Sequence, residues 1–296
     1  MVEPCASLAS SGQCRGGRAT IGGPRYRPGV DNISRLEQAN DNAAAFWLAQ
    51  ARAHGWQQLI DPRFTAVRCD RSPDDAHRIV ITRPYGDSAP LEDELAALLR
   101  EWSTVRLTLE DPYGRLDMAR HGCGHGRGMA VMVREPGPLD APLPSSLPRS
   151  GDQGGGPLTV DEVLDADGFA EVEHAVVEGF PIEAHQPWTR GGMLPAELLR
   201  EPGLRAWLGR IDGAPAGACL TYDDGRATGV YWVATLPDHR SRGVARAVLE
   251  TALAAAHPDR PATLVATQLG EPLYRKLGFI EWGRTHWWTL TDPSDA

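Results

Sequence analysis

Residues 135–157 read EPGPLDAPLPSSLPRSGDQGGGP, in which six of 23 residues are proline and five are glycine. Proline withdraws backbone donors and glycine raises the entropy cost of ordering, so neither a helix nor a strand persists through such a stretch. The segment divides the 296 residues into a first lobe, residues 31–134, and a second, residues 158–296, each of ordinary domain size. The other reading is a long surface loop within one domain. Residues 1–30, MVEPCASLASSGQCRGGRATIGGPRYRPGV, read as a disordered leader, an overextended gene start or a vector-derived tail.

Hydrophobic residues at 42% and charged residues at 23% fit a globular chain. Lys plus Arg number 30 against 39 Asp plus Glu, a net charge of −9. That balance disfavours general affinity for nucleic acid or anionic membrane, while mildly favouring cationic substrates. No run approaches the roughly eighteen apolar residues of a membrane span. Cys5, Cys14, Cys69, Cys123 and Cys219 are odd in number and irregularly spaced. They argue against a disulfide framework and suit a reducing cytosol. With no basic N-terminal region feeding an apolar core, a secretory signal is not expected, and the location expected is cytoplasmic.

The first lobe alternates helix and strand. NDNAAAFWLAQARAHG predicts a helix capped by Asn40 or Asp41 and stopped by Gly55. RFTAVRCD and HRIVITRP predict strands joined by the turn SPDD. LEDELAALLREW predicts a helix with Leu91, Leu95, Leu98 and Leu99 on one face; VRLTLED and GMAVMVRE predict strands.

In the second lobe, LTVDEVLD predicts a strand or turn and DGFAEVEHAVVEGF a helix. RAWLGRIDG and APAGACLTYDDG form a hairpin across Asp212-Gly213. ATGVYWVATLP is a long strand after a turn at Asp224-Gly225, and SRGVARAVLETALAAA is a helix with a stripe of Val244, Val248, Ala252 and Ala255. ATLVAT, EPLYRKLG and FIEWGRTHWWTL continue as strand, short helix and strand. The order predicts an α/β layer on a mixed sheet.

The sharpest feature is the junction Thr235-Leu236-Pro237-Asp238-His239-Arg240-Ser241-Arg242-Gly243-Val244-Ala245-Arg246. Pro237 ends the strand and a helix follows directly. Its first amides have no helical acceptor and point outward as donors. Gly243 permits close approach, Ala245 keeps the surface low, and Arg240, Arg242 and Arg246 add positive charge. Such a helix start suits a diphosphate; an ordinary helix start with a solvated arginine cluster is the bland alternative. Neither a Walker loop nor a GxGxxG fingerprint is present.

LPDHRSRGVARAVLETAL resembles the acyl-CoA pyrophosphate loop of the GCN5-related N-acetyltransferases (GNAT), whose pattern Gln/Arg-x-x-Gly-x-Gly/Ala is met by Arg240, Gly243 and Ala245. LYRKLGF, residues 273–279, resembles the family's second hallmark. The resemblance covers residues 158–290. It implies a splayed mixed sheet of the GNAT fold and acetyl-CoA as cosubstrate. It implies direct acetyl transfer to a primary amine, with no acyl-enzyme. By the same resemblance, backbone groups at Thr235 and Leu236 pair with the pantetheine arm. The amides of Arg242, Gly243, Val244, Ala245 and Arg246 hold the pyrophosphate, and Arg240 contributes its side chain or shapes the loop.

Tyr274 is the catalytic candidate, as the acid that protonates the departing thiolate; a core tyrosine packed on CoA is the alternative. Many relatives place a glutamate base on the long strand, but GVYWVAT has no carboxylate there. Tyr231, Tyr222, Asp223, Glu178, His286 or a water chain remain as candidates. His185, Trp188, Trp282, Trp287 and Trp288 offer the surface of an apolar or cation-attracting acceptor pocket, though such tryptophans more often fill a core or an interface, and Trp287 and Trp288 fall on opposite faces of their strand. Cys219 is expected to be buried rather than nucleophilic.

The first lobe loosely resembles the last strand–helix–strand section of the same family, without a pyrophosphate loop, and reads as a degenerate copy that supports or covers the second. His121, Cys123 and His125 offer three metal-ligand types, but a closed zinc site needs four; a glycine-rich turn is the expectation, and no metal. Expected partners are acetyl-CoA and a small amine or peptide amine, in a monomer or homodimer, with no nucleic acid and no membrane. The competing class is a CoA-binding regulatory module that has lost its chemistry.

Overall fold

The first helix starts earlier than its apolar pattern. A computed structural model describes residues 33–69, 77–103, 106–139 and 156–290. In it α1 spans Arg35–His54, capped by Ser34 rather than Asn40 or Asp41. The Glu37 N–H donates to Ser34 Oγ at 3.2 Å, and the Ser34 N–H donates to the Glu37 carboxylate at 2.7 Å. This reciprocal capping box satisfies two donors at the helix start. Gly55, at φ 69°, closes the other end as expected.

The first half continues with β1 (Gln57–Ile60), β2 (Phe64–Arg68) and β3 (His77–Ile81). It then runs through α2 (Ala89–Glu101), β4 (Leu107–Asp111), β5 (Gly124–His125) and β6 (Met129–Arg134). The second half has β7 (Leu158–Val163), α3 (Ala166–Gly179), β8 (Leu204–Ile211), β9 (Ala214–Asp223) and β10 (Thr228–Thr235). It ends with α4 (Val244–Ala254), β11 (Ala262–Ala266), α5 (Glu271–Lys276) and β12 (Ile280–Leu290). The β8–β9 turn places Asp212 at φ 53° and Gly213 at φ 78°, the left-handed pair that a two-residue hairpin requires. Val244, Val248 and Ala252 are buried along α4, but Ala255 is exposed because the helix stops one residue before it. The expected SPDD turn, the leader and most of the proline-rich segment lie outside the described residues.

Among the described residues twelve strands form one mixed sheet, ordered β1-β2-β3-β4-β12-β6-β11-β10-β9-β8-β7 with β5 on β12. The order interleaves the two halves. β6 pairs antiparallel with β11 on one edge, Ala262↔Arg134 through Ala266↔Ala130. On its other edge it pairs with β12, Ile280↔Val133 through Thr285↔Met129. Beyond Thr285, β12 changes partner and pairs with β4, His286↔Asp111 through Leu290↔Leu107. The proline-rich segment therefore divides the sequence but not the sheet, and from Ile33 onward the chain forms one compact unit. Two paths through it match. β1-β2-β3-β4-β12 and β8-β9-β10-β11-β6 both run antiparallel, antiparallel, parallel, antiparallel, each with a helix crossing between its parallel strands.

The second half buries both sheet faces. Ala206, Leu208, Ala218 and Leu220 pack with α3 and with Phe46 of α1. Trp207 and Cys219, the alternate positions, pack with Val244, Val248 and Ala252 of α4, joined by Ala216 where the β8–β9 register shifts. α1 is tied to the β9–β10 hairpin by Asn42, which is fully buried. Its Nδ2 donates to the carbonyls of Tyr222 at 3.1 Å and Ala227 at 3.0 Å, and its Oδ1 accepts from the Tyr231 hydroxyl at 2.6 Å. Phe46 stacks on Tyr231 with centroids 3.8 Å apart. No helix among the described residues is long and apolar enough to cross a membrane.

Two outcomes test this arrangement. A chain beginning at residue 156 lacks β6 and leaves the facing edges of β11 and β12 unpaired. It should be insoluble alone and should be recovered as a soluble complex when co-expressed with residues 1–139; cooperative unfolding of the isolated fragment would contradict the interleaving. Asn42→Ala strands three buried polar groups and should cost about 2–4 kcal/mol in denaturant unfolding.

Candidate active site

α4 begins at Gly243, whose φ of 84° favours a residue without Cβ, and no side chain caps the helix. The first intrahelical bond runs from the Ala247 N–H to the Gly243 carbonyl at 3.0 Å. The amides of Val244, Ala245 and Arg246 thus precede the helical ladder and have no acceptor within it. A 3-10 turn, Pro237–His239, joins β10 to this point, with Ser241 at φ 62°. The three arginines have separate partners. Arg240 Nη2 donates to the Gly179 carbonyl at 3.0 Å, tying the loop to the end of α3. Arg242 Nη1 lies 3.3 Å from His239 Nδ1, and Arg246 Nε donates to Glu250 at 2.7 Å.

β10 and β11 pair only at Thr228↔Ala262 and Gly229↔Thr263, although β10 runs on to Thr235 and β11 to Ala266. Past that point the two strands present unpaired edges to each other. β10 also carries a bulge. Tyr231 pairs with Leu220 and Ala234 with Ala218, so one residue more lies on β10 than on β9. Trp232, at φ 53°, is the strained position. The bulge sends adjacent Tyr231 and Trp232 into the same core beside α1 and α3. At the strand end Thr235 pairs with Gly217. The Leu236 N–H already donates to Ala216 and its carbonyl accepts from His239, each at 2.9 Å, so the Leu236 amide has a partner within the protein.

Tyr274 lies on α5, 8% exposed, in the cluster of Val230, Leu249, Leu264 and Phe279. Burial pushes its phenol up to about 12, so the hydroxyl keeps its proton. Gly270 admits it: a Cβ there would stand 2.7 Å from the Tyr274 ring.

The structure scatters the candidate bases. Tyr231 is half-buried, stacked on Phe46 and bonded to Asn42, and the burial of its hydroxyl raises its phenol well above the usual tyrosine range. Tyr222 is buried in the same core, with burial again raising it. Asp223 pairs with Arg260 at 2.5 Å, and Glu178 accepts from Gln186 at 3.0 Å. His286 lies in the part of β12 that pairs with β4, its ring 5.4 Å from that of His125. A carboxylate that the sequence did not single out is Glu110 on β4, 6% exposed, with Arg78 Nη1 3.9 Å away. Burial pushes its carboxyl up, against the pull of Arg78. With Asn40, Tyr231, Leu264 and Val265 it lines a void of about 20 Å³, room for a single water. VRLTLED carries no local mark of this, because the void is lined by strands from both halves.

A larger cavity of about 190 Å³ is lined by Trp47, Gln50, Trp56 and Arg78 from the first half and by His185 and Trp232 from the second. One wall is fixed by Glu173, a fully buried carboxylate that accepts N–H bonds from Gly191, Met193 and Leu194 at 2.7–2.8 Å. The other tryptophans lie elsewhere. Trp188 packs on His174 at 4.8 Å, and Trp282 is 36% exposed. Trp288 is in the first-half core, while Trp287 faces Arg78 at 5.8 Å. Cys219 is fully buried and its thiol is pushed up by burial. Cys123 is buried too, His121 Nε2 accepts from Arg120 Nε at 3.1 Å, and His125 meets Trp288 edge-on at 4.6 Å. Among the described residues no group of three or more His, Cys, Asp or Glu side chains is placed to hold a metal ion.

The family model described as an acetyltransferase (GNAT) domain matches residues 202–281, which include the β10–α4 junction and Tyr274. No curated protein sequence matches the chain. Solved structures do. A GCN5-related N-acetyltransferase from Kribbella flavida is 20% identical at a TM-score of 0.57, over 85% of this chain and 95% of that one. A conserved protein from Staphylococcus epidermidis is 11% identical at 0.53, over 81% and 95%. A tandem GNAT protein from the clavulanic acid biosynthesis pathway is 18% identical at 0.51, over 76% and 77%. A matched domain at the candidate site and these shared architectures agree: the chain carries the mixed-sheet α/β fold of the GNAT acetyltransferases.

Proposed function

We propose that this chain is an acetyl-CoA-dependent N-acetyltransferase that moves an acetyl group directly to a primary amine. The observation that carries the reading is the uncapped start of α4 at Gly243, set beside strands that stop pairing after Gly229 and Thr263. A pyrophosphate suits the amides of Arg242, Gly243, Val244, Ala245 and Arg246. Arg240 shapes that loop through the Gly179 carbonyl. The pantetheine arm is assigned to the unpaired edge of β10 near Thr235; Leu236 contributes position rather than its amide, which Ala216 occupies.

The neutral amine attacks the thioester carbonyl, the carbon–sulfur bond breaks, and the thiolate takes a proton. Tyr274 is assigned as that proton donor, its burial keeping the hydroxyl neutral at working pH. The attacking nitrogen loses its proton through water to solvent as the tetrahedral intermediate collapses to the amide, and the Tyr274 phenolate takes a proton back from solvent. Residues 158–296 carry this chemistry. The first half, residues 31–134, is read as a degenerate copy of the same fold, and its matching strand order supports that reading. The location proposed is cytoplasmic.

Acetyl-CoA at about 100 times its Kd should stabilise the protein by roughly 2.7 kcal/mol and slow exchange of the amides at residues 242–246; the absence of both effects would overturn the reading. Gly243→Val forces a β-branched residue to φ 84° and should weaken acetyl-CoA at least tenfold by calorimetry. Tyr274→Phe should lower kcat about 100-fold with the acetyl-CoA Kd within about twofold. The Tyr274 phenol is raised from about 10 to about 12 on folding, so its neutral form persists as pH rises and is lost only on passing the folded value. An alkaline fall in rate between pH 9 and 11 that Tyr274→Phe abolishes would contradict this protonation state.

A further inference from the structure

The gap between β10 and β11 is open at one end and closed at the other. A Cβ at Gly217 would stand 2.8 Å from the Val244 side chain and 3.3 Å from Thr235 Cα, so the α4 start and the end of β10 sit side by side at the open end. The last paired couple, Gly229↔Thr263, closes the other. A thioester arm entering beside Thr235 therefore ends opposite residues 230–234, the stretch that holds the bulge.

An acyl chain longer than acetyl needs somewhere to go. Along the strands the Gly229↔Thr263 pairing stops it. Toward α4 it meets Val230, Leu249, Leu264 and Tyr274, packed in one cluster and each 8% exposed or less. Toward α1, Tyr231 is fixed by its stack on Phe46 and its bond to Asn42. Trp232 remains. Its ring packs edge-on against Trp47 at 6.4 Å and against Phe180 at 5.9 Å. It also walls the cavity of about 190 Å³, whose apolar lining includes Trp47, Trp56, Ile182, Ala184 and Met193. A tryptophan at φ 53° is strained where glycine would sit freely. The bulge thus holds a bulky ring, against local preference, between the gap and an apolar space.

We infer that Trp232 sets the length of the acyl group this protein accepts. Its indole ends the acyl site at acetyl and shuts the cavity off from the thioester. Without that ring the cavity becomes an extension of the acyl site, and a chain of several methylenes has an apolar space to enter. The inference deepens the acetyltransferase reading and rests on its placing of the acyl-CoA arm along β10.

Calorimetry on the full chain tests this without an acceptor, using CoA, acetyl-CoA and hexanoyl-CoA. The unaltered protein should bind hexanoyl-CoA at least tenfold more weakly than acetyl-CoA. Trp232→Gly should move that ratio about 100-fold toward hexanoyl-CoA, since each newly buried methylene is worth roughly fourfold in affinity. The Kd for free CoA should stay within threefold, showing that the fold and the α4 start are intact. Trp232→Leu should move the ratio the same way by less, and it decides the matter if the glycine variant loses free CoA. Adding Ala184→Phe to Trp232→Gly refills the cavity and should restore at least tenfold of the acetyl preference, which a merely loosened core would not regain. Equal binding of both thioesters by the unaltered protein, an unchanged ratio in the variants, or no effect of Ala184→Phe would each overturn the inference while leaving the acetyltransferase reading in place. Failure of the unaltered protein to bind CoA at all would remove that reading first.

Discussion

β6 is hydrogen-bonded along both edges by strands from the far end of the chain. This double ladder decides everything built around it. A strand satisfied on both sides by β11 and β12 cannot be withdrawn without opening two edges in the sheet interior. The same exchange carries the end of β12 onto β4, so each half completes its pairing with the last strand of the other. α1, the first described helix, is thereby held across the β9–β10 hairpin of the second half, where Asn42 and Phe46 engage it.

The faces of this sheet divide the chemistry. α4, α5 and Tyr274 lie on one side; α1, α3 and the larger cavity lie on the other. Where β10 and β11 stop pairing, the two sides can communicate. The bulge at Trp232 makes the connection asymmetric, because an added residue turns two neighbours toward α1 instead of alternating them.

Local signals were legible where local chemistry produces them. The Asp212-Gly213 turn, the α4 stripe through Ala252 and the stop at Gly55 follow from short-range sterics and periodicity. The start of α1 was readable too: Ser34 and Glu37 spell a capping box, but the alanine-rich run beyond Asn40 drew the boundary inward. Glu110 was not readable. Nothing in VRLTLED distinguishes a carboxylate facing a small void from one facing water, because the void is lined by α1 and by strands of both halves, β10 and β11 among them.

By itself the sequence determined the order of most helices and strands, though not β1 or β5, together with the open helix start at Gly243 and the tyrosine at 274, since each depends on neighbours within a few residues. Only the tertiary structure decided that the halves share one sheet, that Trp232 turns toward α1 and that Gln50 and Trp56 wall a cavity with it. Strand pairing and cavity closure depend on contacts between distant segments, whose partners are chosen by burial and register across the whole fold rather than by the residues beside them.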